Sequence, residues 1–429
     1  MNGMRVVLAC LCLGFVALFC CAQESNVNLI DDVPSPGALN AIKRAYQMTD
    51  LCFTPLDSFV ANPTKTYYMG QKCQGLVYSS VKEMHTFVGV DVSFHTFMTA
   101  LHNPRSVMYT ENVSKPPYHG LNCGAYYGTV CSGLVSYALG FKVYQKSCDI
   151  KKIDAMQFVA DQSVRGIQLG DVLWSKGHVA LITGIKRDVR DGRAVEIEIC
   201  EGVRPGCRRK IVTGKELDKM LSKGKNKVYR YRYLEKVDYA PLTDFVAVGD
   251  ELIEPYKYND DICTSRGDKA CYVVGDNVVL NIAKGYKELE IYKESVLYRK
   301  MKIGNDLDIT INELPYGSYK ARVVNNQKKS DYTYWMVVDL NVETDRNDKN
   351  VHFHSSNSIP VYLEFCSARG GGRSTRGIFE LTEEDKEKEY VKVDRYIDEL
   401  GKKSKYKYVR VHFECEYGRV TNLPVNWFE

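Results

Sequence analysis

Residues 128–141 read GTVCSGLVSYALGF. Leu134, Val135, Ala138 and Leu139 recur at helical spacing and Gly140 supplies a C-terminal stop, so the stretch predicts a short helix opened by Cys131. An extended approach over 128–130 delivers the cysteine to the helix start. There the unpaired backbone N–H groups and the positive end of the helix dipole favour a thiolate, the form that nucleophilic attack requires.

Downstream, residues 170–185 read GDVLWSKGHVALITGI. Gly170 and Asp171 turn the chain into a strand over 172–174, and His178 starts a second apolar strand over 179–185. Asp191-Gly192 then reverses the chain into a strand over 195–201, where Val195, Ile197 and Ile199 alternate with Glu196 and Glu198. Continuing that alternation puts Glu201 on the apolar face, an unusual place for an acid because an unpartnered buried charge is costly. If the hairpin loop centres near Val189 and Arg190, Glu201 stands opposite His178; if it centres on Asp191-Gly192, the two are offset by about four positions. A helix-borne cysteine, a strand-borne histidine and this acid suggest one site.

Working outward, residues 1–22 carry Arg5 as a basic flank, an apolar centre over 6–19 and Ala22 before Gln23. That pattern predicts a secretory signal cleaved after Ala22, hence an exported, periplasmic or extracellular protein. Cys20 and Cys21 raise the question of a lipid anchor, but the bulky Leu18 and Phe19 before them fit a lipoprotein signal poorly. No later segment is long and apolar enough to cross a bilayer. With Lys+Arg 58 against Asp+Glu 53 and no dense basic run, nucleic acid is not expected as a partner.

Four of the fifteen cysteines lie in the signal, which leaves Cys52, Cys73, Cys123, Cys131, Cys148, Cys200, Cys207, Cys263, Cys271, Cys366 and Cys415. An odd number in an exported chain leaves a thiol without an internal partner, and Cys131 is the candidate. Close spacing makes Cys200 with Cys207 and Cys263 with Cys271 plausible pairs, and Cys366 with Cys415 a plausible staple for the last module.

The remaining elements are coarser. Ser35 and Pro36 predict the cap and first position of a helix to about Asp50, with Leu39, Ile42 and Tyr46 on one face. Thr54-Pro55 ends it, and the Tyr-, Ser-, Gly- and Pro-rich stretch 56–127, with a helix over 93–101, is a candidate cleft wall. A helix is expected between Cys148 and Gly166, with Ile153, Met156, Phe158 and Val159 as its apolar set, and a Tyr-rich strand over 225–239. Beyond 240 short strands dominate: one over 332–342, a polar boundary over 343–350, strands over 360–365 and 408–414, and a charged helix over 382–400. Those patterns predict two β-sandwich modules, 240–345 and 346–429.

The motifs VCSGLVSYALGF and GDVLWSKGHVALITGI, in this order and spacing, resemble the NlpC/P60 cysteine peptidases over roughly residues 70–215. Those enzymes carry a D-C-S-G-L-V helix start and a G-H-V-x-x-x-x-G strand. The resemblance implies an α+β papain-like catalytic domain over 23–239, with an N-terminal helical extension, followed by the all-β sandwich-like modules. It implies hydrolysis of amide bonds in bacterial cell-wall (peptidoglycan) peptides, typically next to D-glutamate, by a monomer without metal or cofactor. Cys131 matches the nucleophile and His178 the general base; Glu201 takes the place of the third polar residue, as in the related CHAP amidases. Tyr78, in GLVYSS, matches a tyrosine that lines the site, and Ser132 joins it as a substrate-binding residue. Val130 stands where some members have an aspartate that holds the substrate's free amine, so that contact is not carried over.

Two other reaction classes fit the same residues: a non-catalytic protein that binds peptide or glycan, and an acyltransferase using the same cysteine. His352 and His354 share a strand face but lack a third metal ligand in the sequence, so solvated histidines are expected. Residues 368–377, ARGGGRSTRG, have no Lys-Ser/Thr at phosphate-loop spacing and read as a loop.

Overall fold

The computed structural model describes residues 29–62, 65–78, 87–110, 127–142, 144–222, 226–238, 258–345, 347–366, 378–396, 407–422 and 425–427. The expected signal, the 369–377 loop, Cys123 and the expected boundary at 240 lie outside them.

The N-terminal unit is built on one antiparallel sheet. Its strands are β1 (Leu29–Asp31), β2 (Met156–Phe158), β3 (Val172–Ser175), β4 (His178–Asp188), β5 (Ala194–Gly202), β6 (Cys207–Thr213) and β7 (Lys227–Tyr231). They run in the order β6-β5-β4-β3-β7-β2, with β1 paired to β4. The run VALITGI reads as continuously apolar because both faces of β4 are covered. Val179 and Leu181 pack with Ala41, Ala45 and Met48 of α1 (Pro36–Thr49) and with Leu134, Val135 and Ala138 of α3 (Cys131–Ala138). Ala180 and Ile182 pack with Leu217 and Leu221 of α4 (Gly214–Ser222). Each fully buried leucine, valine or isoleucine contributes about 1.5–3 kcal/mol. Among the described residues no helix is long and apolar enough to cross a membrane.

The expectation of an α+β papain-like catalytic domain is not met. Strand outweighs helix among the described residues, 43% against 18%. The helix expected between Cys148 and Gly166 is instead a single 3-10 turn, Ile150–Lys152, followed by β2 on the sheet edge. Met156 packs inward while Phe158 stays exposed and sets its edge against Tyr229 at 5.7 Å, so the pairing with β7 overrides the apparent helical spacing. In α1, Ser35 caps Ala38 at 3.3 Å as its position predicts, but the buried face runs through Ala38, Ala41, Ile42 and Ala45, with Leu39 exposed. The α2 helix (Phe94–Leu101) forms with Ser93 as its cap.

Both C-terminal modules have β-sandwich character. The first sets Ile262–Thr264, Val278–Ile282 and Asp308–Ile311 against a five-stranded sheet that includes β8 (Ala270–Val273), Gly317–Val324 and Thr333–Val338. Trp335 stacks on Tyr319 at its centre, 5.5 Å between rings. The strand expected over 332–342 breaks after Val338, and Asn341–Asp345 pairs with Asn350–His354, so the polar stretch 343–350 is a hairpin of the second module. That module packs Phe353, Phe365 and Phe413 between this small sheet and one containing β9 (Ile359–Cys366), β10 (Tyr408–Cys415) and β11 (Gly418–Thr421). The charged helix expected over 382–400 is interrupted: Glu383–Lys388 is helical, closed at the start by a Thr382–Asp385 capping box, Tyr390–Lys392 is a strand, and helix resumes at 394–396.

The first module is fastened to the N-terminal unit by specific bonds. His95 Nε2 lies 2.7 Å from Asp268 Oδ2, Asn103 donates to Asn281 Oδ1 at 2.7 Å, and Arg105 reaches Asp308 Oδ1 at 2.7 Å. None of the three expected cysteine pairs forms: Cys200 lies opposite Arg209, Cys207 opposite Gly202, and Cys366 opposite Tyr408.

Candidate functional site

Cys131 reaches its place through short backbone ties. The Thr129 amide donates to Val77 O at 2.9 Å, and Thr129 forms a parallel bridge with Tyr78, whose own amide donates to Pro205 O at 2.9 Å. Val130 is the extended N-cap of α3 and offers no side-chain acceptor to the first turn. The helix stops as expected: the Gly140 amide bonds Tyr137 O at 3.1 Å and that of Phe141 bonds Ser136 O at 2.9 Å, the paired bonds of a Schellman ending.

His178 is the first residue of β4 and Glu201 lies one residue from the end of β5, so both stand at one end of the sheet, where α3 begins. The register is neither of the two expected. Arg187 pairs with Ala194, so the hairpin centres between Arg190 and Asp191, midway between the two expectations; the shifts between Ile182 and Gly184 and between Lys186 and Arg187 cancel, and Leu181 pairs with Cys200. His178 and Glu201 are therefore diagonal neighbours two positions out of register, a separation that long side chains span.

The side chains then connect. His178 Nε2 lies 2.9 Å from Glu201 Oε2, and the Cys131 thiol hydrogen-bonds the same imidazole. With Nε2 committed to Glu201, the nitrogen left for the thiol is Nδ1. The second carboxylate oxygen, Oε1, accepts from Arg208 Nη2 at 2.8 Å and Nε at 3.0 Å. Arg208 is the direct cross-strand partner of Glu201 in the β5–β6 ladder. Cys131 is 7% exposed, Glu201 is equally shielded, and the His178 side chain is 35% exposed, so the imidazole forms the solvent-facing side of the group.

The electrostatics follow from that chain. The hydrogen bond with Cys131, then the bond to Glu201, raise His178 to about 9 against the opposing effect of burial. For Glu201, burial alone would push the carboxyl up, but the hydrogen bonds from His178 and Arg208 outweigh it and hold it at about 2. Such an arrangement keeps an imidazolium, oriented by a carboxylate, next to a thiol.

Tyr78, expected as a lining residue, is partly buried and packs against Phe87, Val130 and Tyr144. Ser132 is turned inward, with its hydroxyl 2.9 Å from Tyr144 OH. Ile378 of the second module packs on the same cluster, which brings that module to the flank of the α3 start. Two residues escape a reading of the sequence. Arg208 was signalled only indirectly, by the need of a buried acid for a counter-charge and by the adjacent CRRK. Gly202 follows Glu201 and lies so close to α3 that a Cβ there would stand 2.8 Å from Cys131 N.

Among the described residues no group of three or more His, Cys, Asp or Glu side chains could hold a metal. His352 and His354 do share an exposed face, and His354 Nδ1 is bonded to Glu389 Oε1 at 2.7 Å.

No protein-family model matches the chain, and no curated protein matches it. It is similar to the fibronectin(III)-like modules of Clostridium thermocellum CbhA, at 9% identity over 38% of this chain and 90% of that one, with a TM-score of 0.18. It is also similar to the human OSCAR ligand-binding domain, at 10% identity over 38% of this chain and 94% of that one, with a TM-score of 0.17.

Proposed function

We propose that this chain is an exported cysteine hydrolase of NlpC/P60 type that cleaves amide bonds in bacterial cell-wall peptides. The observation that carries the reading is the meeting of Cys131, His178 and Glu201 at one end of the sheet, with His178 bonded to Glu201 and raised by its neighbour Cys131. The substrate class rests on the two motifs shared with those peptidases.

The Cys131 thiolate attacks the amide carbon, and the negative charge that develops on oxygen is held by backbone N–H groups of the first turn of α3. His178 gives its Nδ1 proton to the leaving nitrogen, the C–N bond breaks, and an acyl thioester remains on Cys131. Water then gives a proton to His178 and attacks the thioester; the C–S bond breaks and the thiolate is restored. Glu201 keeps the ring in one tautomer and stabilises its charged form, while Arg208 holds Glu201. Val130 offers no charge to a substrate's free amine, so internal amide bonds are the expected targets.

Purified peptidoglycan peptides digested with the wild type should yield new amine and carboxylate termini by mass spectrometry, and Cys131→Ala should yield none while remaining folded. Equal products from both proteins would end the proposal.

A further inference from the structure

The two C-terminal modules and the N-terminal unit meet at one point. Cys271 on β8 and Cys415 at the end of β10 come from different modules, yet their sulfur atoms are 3.1 Å apart. Gly418 is the hairpin partner of Cys415, and it also bridges Val92 of the N-terminal unit. Next to it, the Arg419 amide donates to Asp91 O at 2.8 Å. Both cysteines are partly exposed, so a small oxidant can reach them.

We propose that Cys271 and Cys415 are the site of a disulfide that clamps the first module to the second where the second rests on the N-terminal unit. This pairing replaces both Cys263 with Cys271 and Cys366 with Cys415, and it is independent of the hydrolase reading. A bond of about 2.05 Å requires the sulfurs to approach by about 1 Å, within the reach of side-chain rotation. The two positions are 144 residues apart, so the bond closes a long loop and constrains the unfolded chain strongly.

The order of events follows from the hydrogen bond between the thiols. Either sulfur can donate in that bond, and sharing it holds Cys415 below the usual thiol range and pushes Cys271 well above it. Cys415 therefore enters as the thiolate and attacks one sulfur of a small-molecule disulfide such as oxidised glutathione; that S–S bond breaks and one glutathione thiolate leaves. Cys271 loses its proton and attacks the Cys415 sulfur of the mixed disulfide, releasing the second glutathione thiolate. The two cysteines give up two electrons and two protons, and oxidised glutathione takes them up as two thiols.

The test uses the full wild-type chain, reduced and then equilibrated with oxidised glutathione, alkylated and digested without reductant. The expected result is a linked peptide pair carrying Cys271 and Cys415, absent after reduction and absent in Cys271→Ser. Alkylation of both residues after oxidation, or linkage of Cys415 to Cys366 or of Cys271 to Cys263, would overturn the assignment. Reduction should also lower the thermal midpoint of the wild type by several degrees and leave that of the Cys271→Ser/Cys415→Ser protein unchanged. An identical wild-type midpoint in both redox states would overturn the clamp. If the double variant does not fold, the peptide map of the wild type decides alone.

Discussion

Gly202 touches the start of the Cys131 helix: a Cβ at Gly202 would stand 2.8 Å from both Cys131 N and Val130 C. The obstacle is backbone rather than the end of a flexible side chain, so Gly202→Ala has to push β5 and α3 apart. Overpacking of this kind costs about 1–3 kcal/mol. The N–H groups that hold the developing oxyanion move with α3, so kcat should fall by about 10²-fold while the variant still folds. Thermal melts and steady-state kinetics together check this. Full activity in a destabilised protein would show that the contact serves packing only.

Arg208 occupies one oxygen of Glu201 and His178 the other, which makes Arg208 a positioning residue. Arg208→Ala should lower kcat by about tenfold with KM nearly unchanged, because the loss is in imidazole orientation and not in substrate contact. It should also raise the Glu201 carboxyl towards the ordinary range, read as a shift of the acid limb of the stability curve to higher pH. Arg208→Lys restores charge without the two-nitrogen grip and should recover only part of the rate. A change in KM alone would assign Arg208 to substrate binding.

The pH window follows from the two shifted groups. Glu201 lies at about 2, below its ordinary 4.5, so its contribution to stability is complete above 4.5 and lost as pH falls towards 2. His178 lies at about 9, above its ordinary 6.5, so its contribution is complete below 6.5 and lost as pH rises through about 9. Thermal midpoints should therefore be level between roughly pH 4.5 and 6.5 for this pair, and kcat/KM should decline on an alkaline limb near 9. Glu201→Gln removes the charge that favours the imidazolium, so that limb should move to lower pH and kcat should fall by about 10²-fold. An alkaline limb unmoved in Glu201→Gln would separate it from His178.

Much of the local structure was legible because it is set by neighbours in the chain. Ser35-Pro36, Ser93 and Gly140 mark helix ends whose hydrogen bonds form as their residue types predict. The strands around His178 and Glu201 are marked by apolar runs between turns. What was not legible depends on distant packing. The hairpin centre between Arg190 and Asp191 that makes His178 and Glu201 diagonal is not marked by the Asp191-Gly192 turn signal, and Met156 and Phe158 reveal themselves as a strand only once β7 lies beside them. The expected papain-like class failed for a related reason: two turns of helix at Cys131 say little about how much strand surrounds them. Cysteine pairing was the least legible, since Cys271 and Cys415 belong to different modules and meet only where those modules pack together.

That docking can be tested at Gly418, where a Cβ would lie 2.4 Å from Asp91 O. The residue has φ +153, so an alanine there is strained as well as crowded. Gly418→Ala should break the bridge to Val92 and the bond from the Arg419 amide to Asp91, while Phe353, Phe365 and Phe413 keep the second module itself intact. The expected result is faster hydrogen exchange at 87–92 and 418–421, with a stability loss of about 1–3 kcal/mol. Because Ile378 of that module packs on the Phe87, Val130 and Tyr144 cluster that Tyr78 also packs on, a loosened module should also raise KM for long peptides more than for short ones. Unchanged exchange at 87–92 would show that the module is held by its other contacts, and equal KM effects on short and long peptides would remove it from the cleft.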